Sequence, residues 1–188
     1  DKAVGVLGLY ASEAGFFQQE EMNLLTELAG DISFAIDHLE KNARLKYLAY
    51  YDELTGLANR TLFLERVAVS MRSAAEAGET MALVLIDLER FRYINESLGR
   101  HAGDQLLIQV AQLLTDNVQD INRIGRVGAD HFAILYPDIQ SQSEFFQRVE
   151  KQTAAFMEHP FMLNGEVFRL AVKVGIAKFP RDGDNVET

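Results

Sequence analysis

MALVLIDLERFRYIN (81–95) and RIGRVGADHFAIL (123–135) decide the fold of this 188-residue chain. The first opens as an unbroken apolar run that ends on Asp87. A short apolar run bounded by charge reads as a strand covered on both faces. The second stretch is two short apolar segments joined by a Gly-Ala-Asp turn, with Asp130 at its tip, and reads as a β-hairpin. An acid at the end of a buried strand and an acid on a tight turn can meet at one edge of a sheet. Two carboxylates meeting there make a hard oxygen site suited to Mg²⁺ and a triphosphate.

Elements on either side of these two stretches are legible from periodicity. Leu62, Phe63, Val67 and Met71 share one helical face, with Asn59 placed to cap that helix and Gly78 to end it. After a strand over 81–88 the pattern predicts a loop, then a helix over about 103–117 with Leu106, Leu107, Val110, Leu113 and Leu114 inward. Ser141 and Glu144 have capping-box spacing at the head of a helix that runs to about Glu158. Asn164-Gly165 is a two-residue hairpin turn. Beyond it Phe168, Leu170, Val172, Val174 and Ile176 alternate with Arg169 and Lys173, as in a half-buried strand. The expected order from residue 60 is α-β-α-β-β-α-β-β, an α+β arrangement.

Upstream, residues 3–10 read as a strand, followed by a loop with Gly15 and Phe16. A long helix is predicted from about Glu20, where Glu20 and Glu21 favour the positive end of the helix dipole. Leu25, Leu28, Ile32, Ala35 and Leu39 recur at three- and four-residue steps, an a/d seam that weakens at Asn42 and Lys46. Two readings stay open: an amphipathic helix lying on its own domain, or a dimerising signalling helix. Asp52 to Arg60 reads as a linker-like break, and both ends of the chain read as cut from a longer protein.

Composition bounds the partners. The formal charge is −10, which argues against nucleic acid and against an anionic membrane surface, since both call for clustered Lys and Arg. There is no cysteine, so neither disulfides nor thiolate metal sites form; a reducing cytoplasm fits this. No apolar stretch reaches the roughly 18 residues of a membrane span, and no signal peptide is evident.

YDELTGLANR (51–60), the stretch from Asp87 to Asp104, and RVGADHF (126–132) together resemble a GGDEF domain of the diguanylate cyclase family. The likeness covers about residues 50–188. The front segment is similar to the last strand and exit helix of a GAF sensor domain. The resemblance implies a GAF-like remnant and linker helix over 1–50, and a GGDEF domain truncated at its C-terminus over 51–188. The implied fold is similar to nucleotidyl cyclases and the polymerase palm: a mostly antiparallel sheet flanked by helices. The family makes cyclic di-GMP from two GTP molecules, one held by each subunit of a dimer.

Site residues follow from the resemblance. Asp87, the carbonyl of Leu88 and Asp130 are implied Mg²⁺ ligands, and Asp130 is also the implied base for the 3′-hydroxyl. Asn95 and Asp104 match the guanine-reading pair, where a carboxylate can accept from N1–H and N2–H₂ together. Phe91, Arg92 and Gly128 lie where the family wraps the phosphates. Each residue also has a plainer reading: Asp87 as a helix cap, Asp130 as a turn aspartate, Asp104 as the N-cap of its helix. His101 reads as a loop residue before Gly103, and His38 and His159 read as surface or helix-end residues.

The signature departs from the family at two positions. Ala129 stands in place of the second glycine and His131 in place of an acid. Glycine lets the backbone take φ > 0 and pass close to a phosphate; a methyl at 129 opposes both, straining the turn by about 1–2 kcal/mol and crowding the nucleotide. Imidazole suits softer metals than Mg²⁺ and removes a negative charge from the cation site. Gln119 and Asn122 replace the Arg and Asp of the family's product-inhibition site. The expected function is a GTP-binding or dimerising regulatory module for a neighbour such as an EAL phosphodiesterase domain, with cyclase activity weak or lost. The alternative is an active diguanylate cyclase.

Overall fold

The computed structural model describes residues 5–10, 12 and 16–185. Its contacts divide the chain into one unit up to Tyr47 and a second from Leu48 onward.

In the first unit, residues 5–10 form no strand. The sequence predicts one over 3–10, of which 3 and 4 lie outside the described residues. A strand needs a ladder partner for its N–H and C=O groups, and none lies beside this segment among the described residues. The predicted helix does form: α1 spans Gln19–Tyr50. None of its residues is buried, so the seam of Leu28, Ile32 and Leu39 is exposed.

The second unit is built on a four-stranded sheet of order β2-β3-β1-β6, with every pairing antiparallel. Its strands are β1 (Met81–Leu88), β2 (Ile124–Arg126), β3 (His131–Tyr136) and β6 (Val172–Phe179). The helices are α2 (Arg60–Ala77), α3 (Phe91–Leu98), α4 (Arg100–Val118) and α5 (Gln142–Glu158). β4 (Phe161–Leu163) and β5 (Glu166–Phe168) make a separate hairpin.

β1 is central, which explains its unbroken apolar run. Ala82, Val84, Ile86 and Leu88 enter one core with Leu106, Leu107, Val110 and Leu114 of α4 and Phe145, Val149 and Phe156 of α5. Met81 and Leu83 pack on the opposite face, against Phe63, Val67 and Ala74 of α2. Strand residues alternate between faces, so Asp87 continues the α2-side row past the end of its apolar cover. Asn59 caps α2, its side chain accepting from the Leu62 N–H, and Gly78 closes it at φ 67°. Ser141 caps α5 by accepting from the Glu144 N–H.

Three sequence expectations need correction. The loop predicted after β1 is the helix α3, in which Phe91, Ile94 and Leu98 pack against the core. A one-sided set of three apolar residues in eight is too short a period to read with confidence against a loop. The following helix starts at Arg100, three residues before the predicted 103. The alternating stretch 168–176 is not one strand: β5 ends at Phe168 and β6 begins at Val172. The Asn164-Gly165 turn is confirmed, with φ 52° and 85°. Gln109 clamps that hairpin by donating to the Met162 carbonyl (2.8 Å) and accepting from the Met162 N–H (3.0 Å).

Candidate functional site

Asp87 stands directly opposite His131 in the β1–β3 ladder, so the two side chains share a face. Asp130 precedes His131 on the hairpin turn, and the Leu88 N–H donates to the Asp130 carbonyl at 3.1 Å. That bond ties the turn to the end of β1. The rim therefore gathers Asp87, Leu88, Asp130 and His131. The His131 ring lies between the acids: Nδ1 is 3.2 Å from Asp130 Oδ1 and Nε2 is 3.7 Å from Asp87 Oδ1. One ligand atom from each of the three residues falls within 4.8 Å of the others, and all three are half-buried. Asp87 caps no helix, because α3 has Arg90 at its N-cap and no side-chain capping bond.

A cleft beside this rim is lined by Phe91, Arg92, Asn95, Asp104, Arg126 and Ala129, among others. The structure thus brings together residues that lie far apart in sequence. Asp104 sits inside α4, whose N-cap is Gly99, so the capping alternative for Asp104 is overturned. Its exposed carboxylate makes no hydrogen bond or ion pair among the described residues. Asn95 rests against Gly103, where an added Cβ would fall inside contact distance of its Oδ1 and 2.9 Å from its Cγ.

The wall of the cleft toward β1 is the first turn of α3. Its opening N–H groups have no intrahelical partners and no side chain caps them, as at any helix start. Such amides suit an anion. Arg90 enters the helix at φ 60°, a left-handed conformation uncommon for a residue with a Cβ. Phe91 is buried in the core at the edge of the cleft. Arg92 is exposed and paired with Glu96 (Nε–Oε1 2.8 Å). Exposed pairs of this kind hold by about 0–1 kcal/mol, so Arg92 can exchange Glu96 for a stronger acceptor.

The expected strain at position 129 is absent. Neither Gly128, Ala129 nor Asp130 has a positive φ, so the turn tolerates a methyl on backbone grounds. Gly128 instead makes room for the imidazole, since a Cβ there would lie 2.7 Å from His131 Nδ1. Ala129 is exposed on the cleft.

Sequence reasoning missed the residues that hold this turn. Arg126 donates to both Asp52 oxygens at 3.1 Å and to the Ala129 carbonyl at 2.7 Å. Asp52 also accepts from the Thr55 amide (2.9 Å) and hydroxyl (2.6 Å). Burial would push the Asp52 carboxyl up, but the Thr55 bonds and the Arg126 guanidinium outweigh it and hold the group below its ordinary 3.8. Asn59 adds a bond from its side-chain amide to the Ala49 carbonyl at 2.9 Å. The DELTGLAN segment is therefore a folded brace, not a loose linker. At the positions of the family's product-inhibition pair, Asn122 is gripped by Arg66, which donates to its carbonyl and its Oδ1 at 3.0 Å each.

The packing of Asn95 on Gly103 gives a first prediction. Gly103→Ala pushes the Asn95 amide out of the cleft without altering a cleft-lining residue. Loss of one directed hydrogen bond, about 1.4 kcal/mol, corresponds to a roughly tenfold weaker affinity for any ligand held through that amide, with helix content unchanged. Calorimetric titration with circular dichroism on the same sample checks it.

The family model for the diguanylate cyclase GGDEF domain matches residues 49–188. Diguanylate cyclase TpbB of Pseudomonas aeruginosa is 32% identical over 169 residues, covering 85% of this chain and 39% of that protein. Cyclic di-GMP phosphodiesterase NbdA of the same organism is 32% identical over 152 residues, covering 81% of this chain and 19% of that protein. The chain thus spans less than half the length of these curated relatives. Among solved structures, the GGDEF domain of TpbB superposes with a TM-score of 0.67 at 31% identity, covering 73% of this chain and 80% of that one. A sensory box/GGDEF family protein from Caulobacter crescentus gives 0.67 at 28% identity, covering 73% of this chain and 88% of that one. No helix of the described residues is long and apolar enough to cross a membrane. With its antiparallel sheet flanked by helices and its signature on the β2–β3 turn, this chain belongs to the GGDEF diguanylate cyclase domain family.

Proposed function

We propose that the chain is a GTP-binding regulatory module of cyclic di-GMP signalling, with cyclase turnover weak or lost through its altered signature. One observation carries the reading: the His131 imidazole occupies the space between the Asp87 and Asp130 carboxylates. The cleft beside them keeps the groups a guanine nucleotide needs. Asp104 presents two acceptors for N1–H and N2–H₂, Asn95 serves the base edge, and the α3 amides with Arg92 face the phosphates. The two acids suit Mg²⁺, which in this family assists phosphoryl chemistry, but an imidazole in the third place does not match an all-oxygen shell. Regulation would act on a neighbouring domain such as an EAL phosphodiesterase. The similarity to a cyclic di-GMP phosphodiesterase supports that partner.

Calorimetry with GTP tests the binding, and chromatography of products after incubation with GTP tests turnover. Micromolar binding without cyclic di-GMP is the expected result. No heat at millimolar GTP would reduce the domain to a structural role.

A second reading, an active cyclase, draws on the unstrained turn at Ala129. The same chromatography, run beside an active relative, decides between them.

The homodimer is proposed to form along α1. Its apolar seam is uncovered, with Leu28 47% and Leu39 67% exposed. Knobs of this kind pack into a second helix in coiled coils. Ile32→Asp is expected to convert a dimer into a monomer by light scattering, because a buried charge on the seam costs several kcal/mol.

A further inference from the structure

We infer that Asp87, Asp130 and His131 form a site for a borderline first-row divalent cation, of which Zn²⁺ is the probe, and that the site discriminates against Mg²⁺. The inference shares its location with the proposed nucleotide site but concerns the nucleotide-free protein.

Geometry comes first. For metal–ligand bonds of about 2.1 Å, neighbouring donors stand about 3.0 Å apart in an octahedron and about 3.4 Å in a tetrahedron. The Asp130 Oδ1 to His131 Nδ1 distance of 3.2 Å lies between those values. These two donors come from adjacent residues on one turn, and Asp87 closes the set from the opposing strand within the 4.8 Å span. The 4.8 Å span is wider than a closed shell, so the side chains must move inward to meet one ion, to which the His131 ring offers a single nitrogen.

The frame is stiff. Asp87 and His131 are ladder partners, the Leu88 N–H grips the Asp130 carbonyl, and Arg126 grips the Ala129 carbonyl. Gly128 leaves the space in which the ring lies. Three protein donors leave coordination positions open, as in a site that meets a second ligand.

Chemistry then selects the ion. Mg²⁺ demands a near-ideal octahedron of oxygens and dehydrates reluctantly. Imidazole prefers Zn²⁺ and its first-row neighbours, and one nitrogen beside two carboxylates is a donor set those ions accept. The substitution at 131 therefore changes which ion the rim can hold. The other described histidines offer no comparable set. His101 pairs with Gln105, and His159 lies edge-on to Phe161.

The test is direct metal titration of the 188-residue chain, without nucleotide, by chelator competition at fixed ionic strength. The expected result is one Zn²⁺ per chain, with Mg²⁺ bound at least about a hundredfold more weakly. His131→Ala and Asp87→Asn should each weaken Zn²⁺ by at least about tenfold, the least that loss of even an outer-shell partner produces. His131→Glu should lower the preference for Zn²⁺ over Mg²⁺ by at least tenfold, with circular dichroism confirming the fold. Equal affinity for both ions, or a Zn²⁺ affinity indifferent to His131→Ala and Asp87→Asn, overturns the inference. A GTP titration on the same samples separates the two readings: absence of GTP binding alongside intact Zn²⁺ selectivity removes the nucleotide assignment and upholds the metal one.

Discussion

Asp52→Ala lowers the melting temperature by about 4–12 °C, the shift that roughly 2–3 kcal/mol produces in a chain of this size. The Asp52 and Arg126 side chains are only 23% and 14% exposed, so removing the acid strands a guanidinium that water reaches poorly. Breaking a fully buried pair costs about 3–5 kcal/mol, and the partial exposure brings the figure down. Arg126 has little slack, because its Nε is already buried without a partner. The Thr55 amide and hydroxyl lose their acceptor in the same step. Asp52→Ala/Arg126→Ala should be less destabilising than the sum of its singles, since no charge is then left behind. Glu65→Ala on the exposed face of α2 is the control and stays within about 0.5 kcal/mol. Additive costs in the double variant would show that the two side chains do not act as a pair.

The same carboxyl sets an acid limit. Its folded pKa is depressed, so its contribution is present above the unfolded value near 3.8 and is lost as pH falls through the lower folded value. Wild-type protein should lose more stability than Asp52→Ala across that interval, and the two melting curves should draw together in strong acid.

How much of this was visible in sequence depends on the range of the interaction. Short-range rules performed well: the Asn59 and Ser141 caps, the Gly78 stop and the Asn164-Gly165 turn each depend on residues within a few positions. The apolar run at 81–88 reads as a buried strand, and apart from Leu85 its apolar residues are covered; the two acids do converge at its end. Failures came where pairing or packing decides. Residues 5–10 have the composition of a strand and, among the described residues, no neighbour to pair with. The brace between Asp52 and Arg126 joins residues 74 positions apart, and no periodicity links an acid in a turn-rich segment to an arginine in a hairpin. The strain assigned to Ala129 assumed a left-handed turn residue, whereas the left-handed residue near the cleft is Arg90. A sequence marks where a turn falls more reliably than which dihedral angles it takes.

Asp104→Asn is expected to weaken GTP by about 10- to 150-fold, the range for losing a hydrogen bond to a charged acceptor, about 1.5–3 kcal/mol, while leaving ATP unchanged. Two acceptor oxygens on one exposed side chain match the N1–H and N2–H₂ donors of guanine. Adenine has no such donor pair and leaves the carboxylate facing its ring nitrogen. Replacing one oxygen by NH₂ swaps an acceptor for a donor, so guanine meets one bond and one donor–donor contact. Discrimination should then collapse from the GTP side rather than rise from the ATP side. A site that reads a hydrogen-bonding edge rejects analogues more strongly than one that reads shape. Calorimetric titration of both nucleotides against wild type and variant reads the two affinities separately. Equal losses for GTP and ATP would mean that Asp104 steadies α4 rather than reads the base, although its place beyond the N-cap of that helix gives it no capping bond to lose.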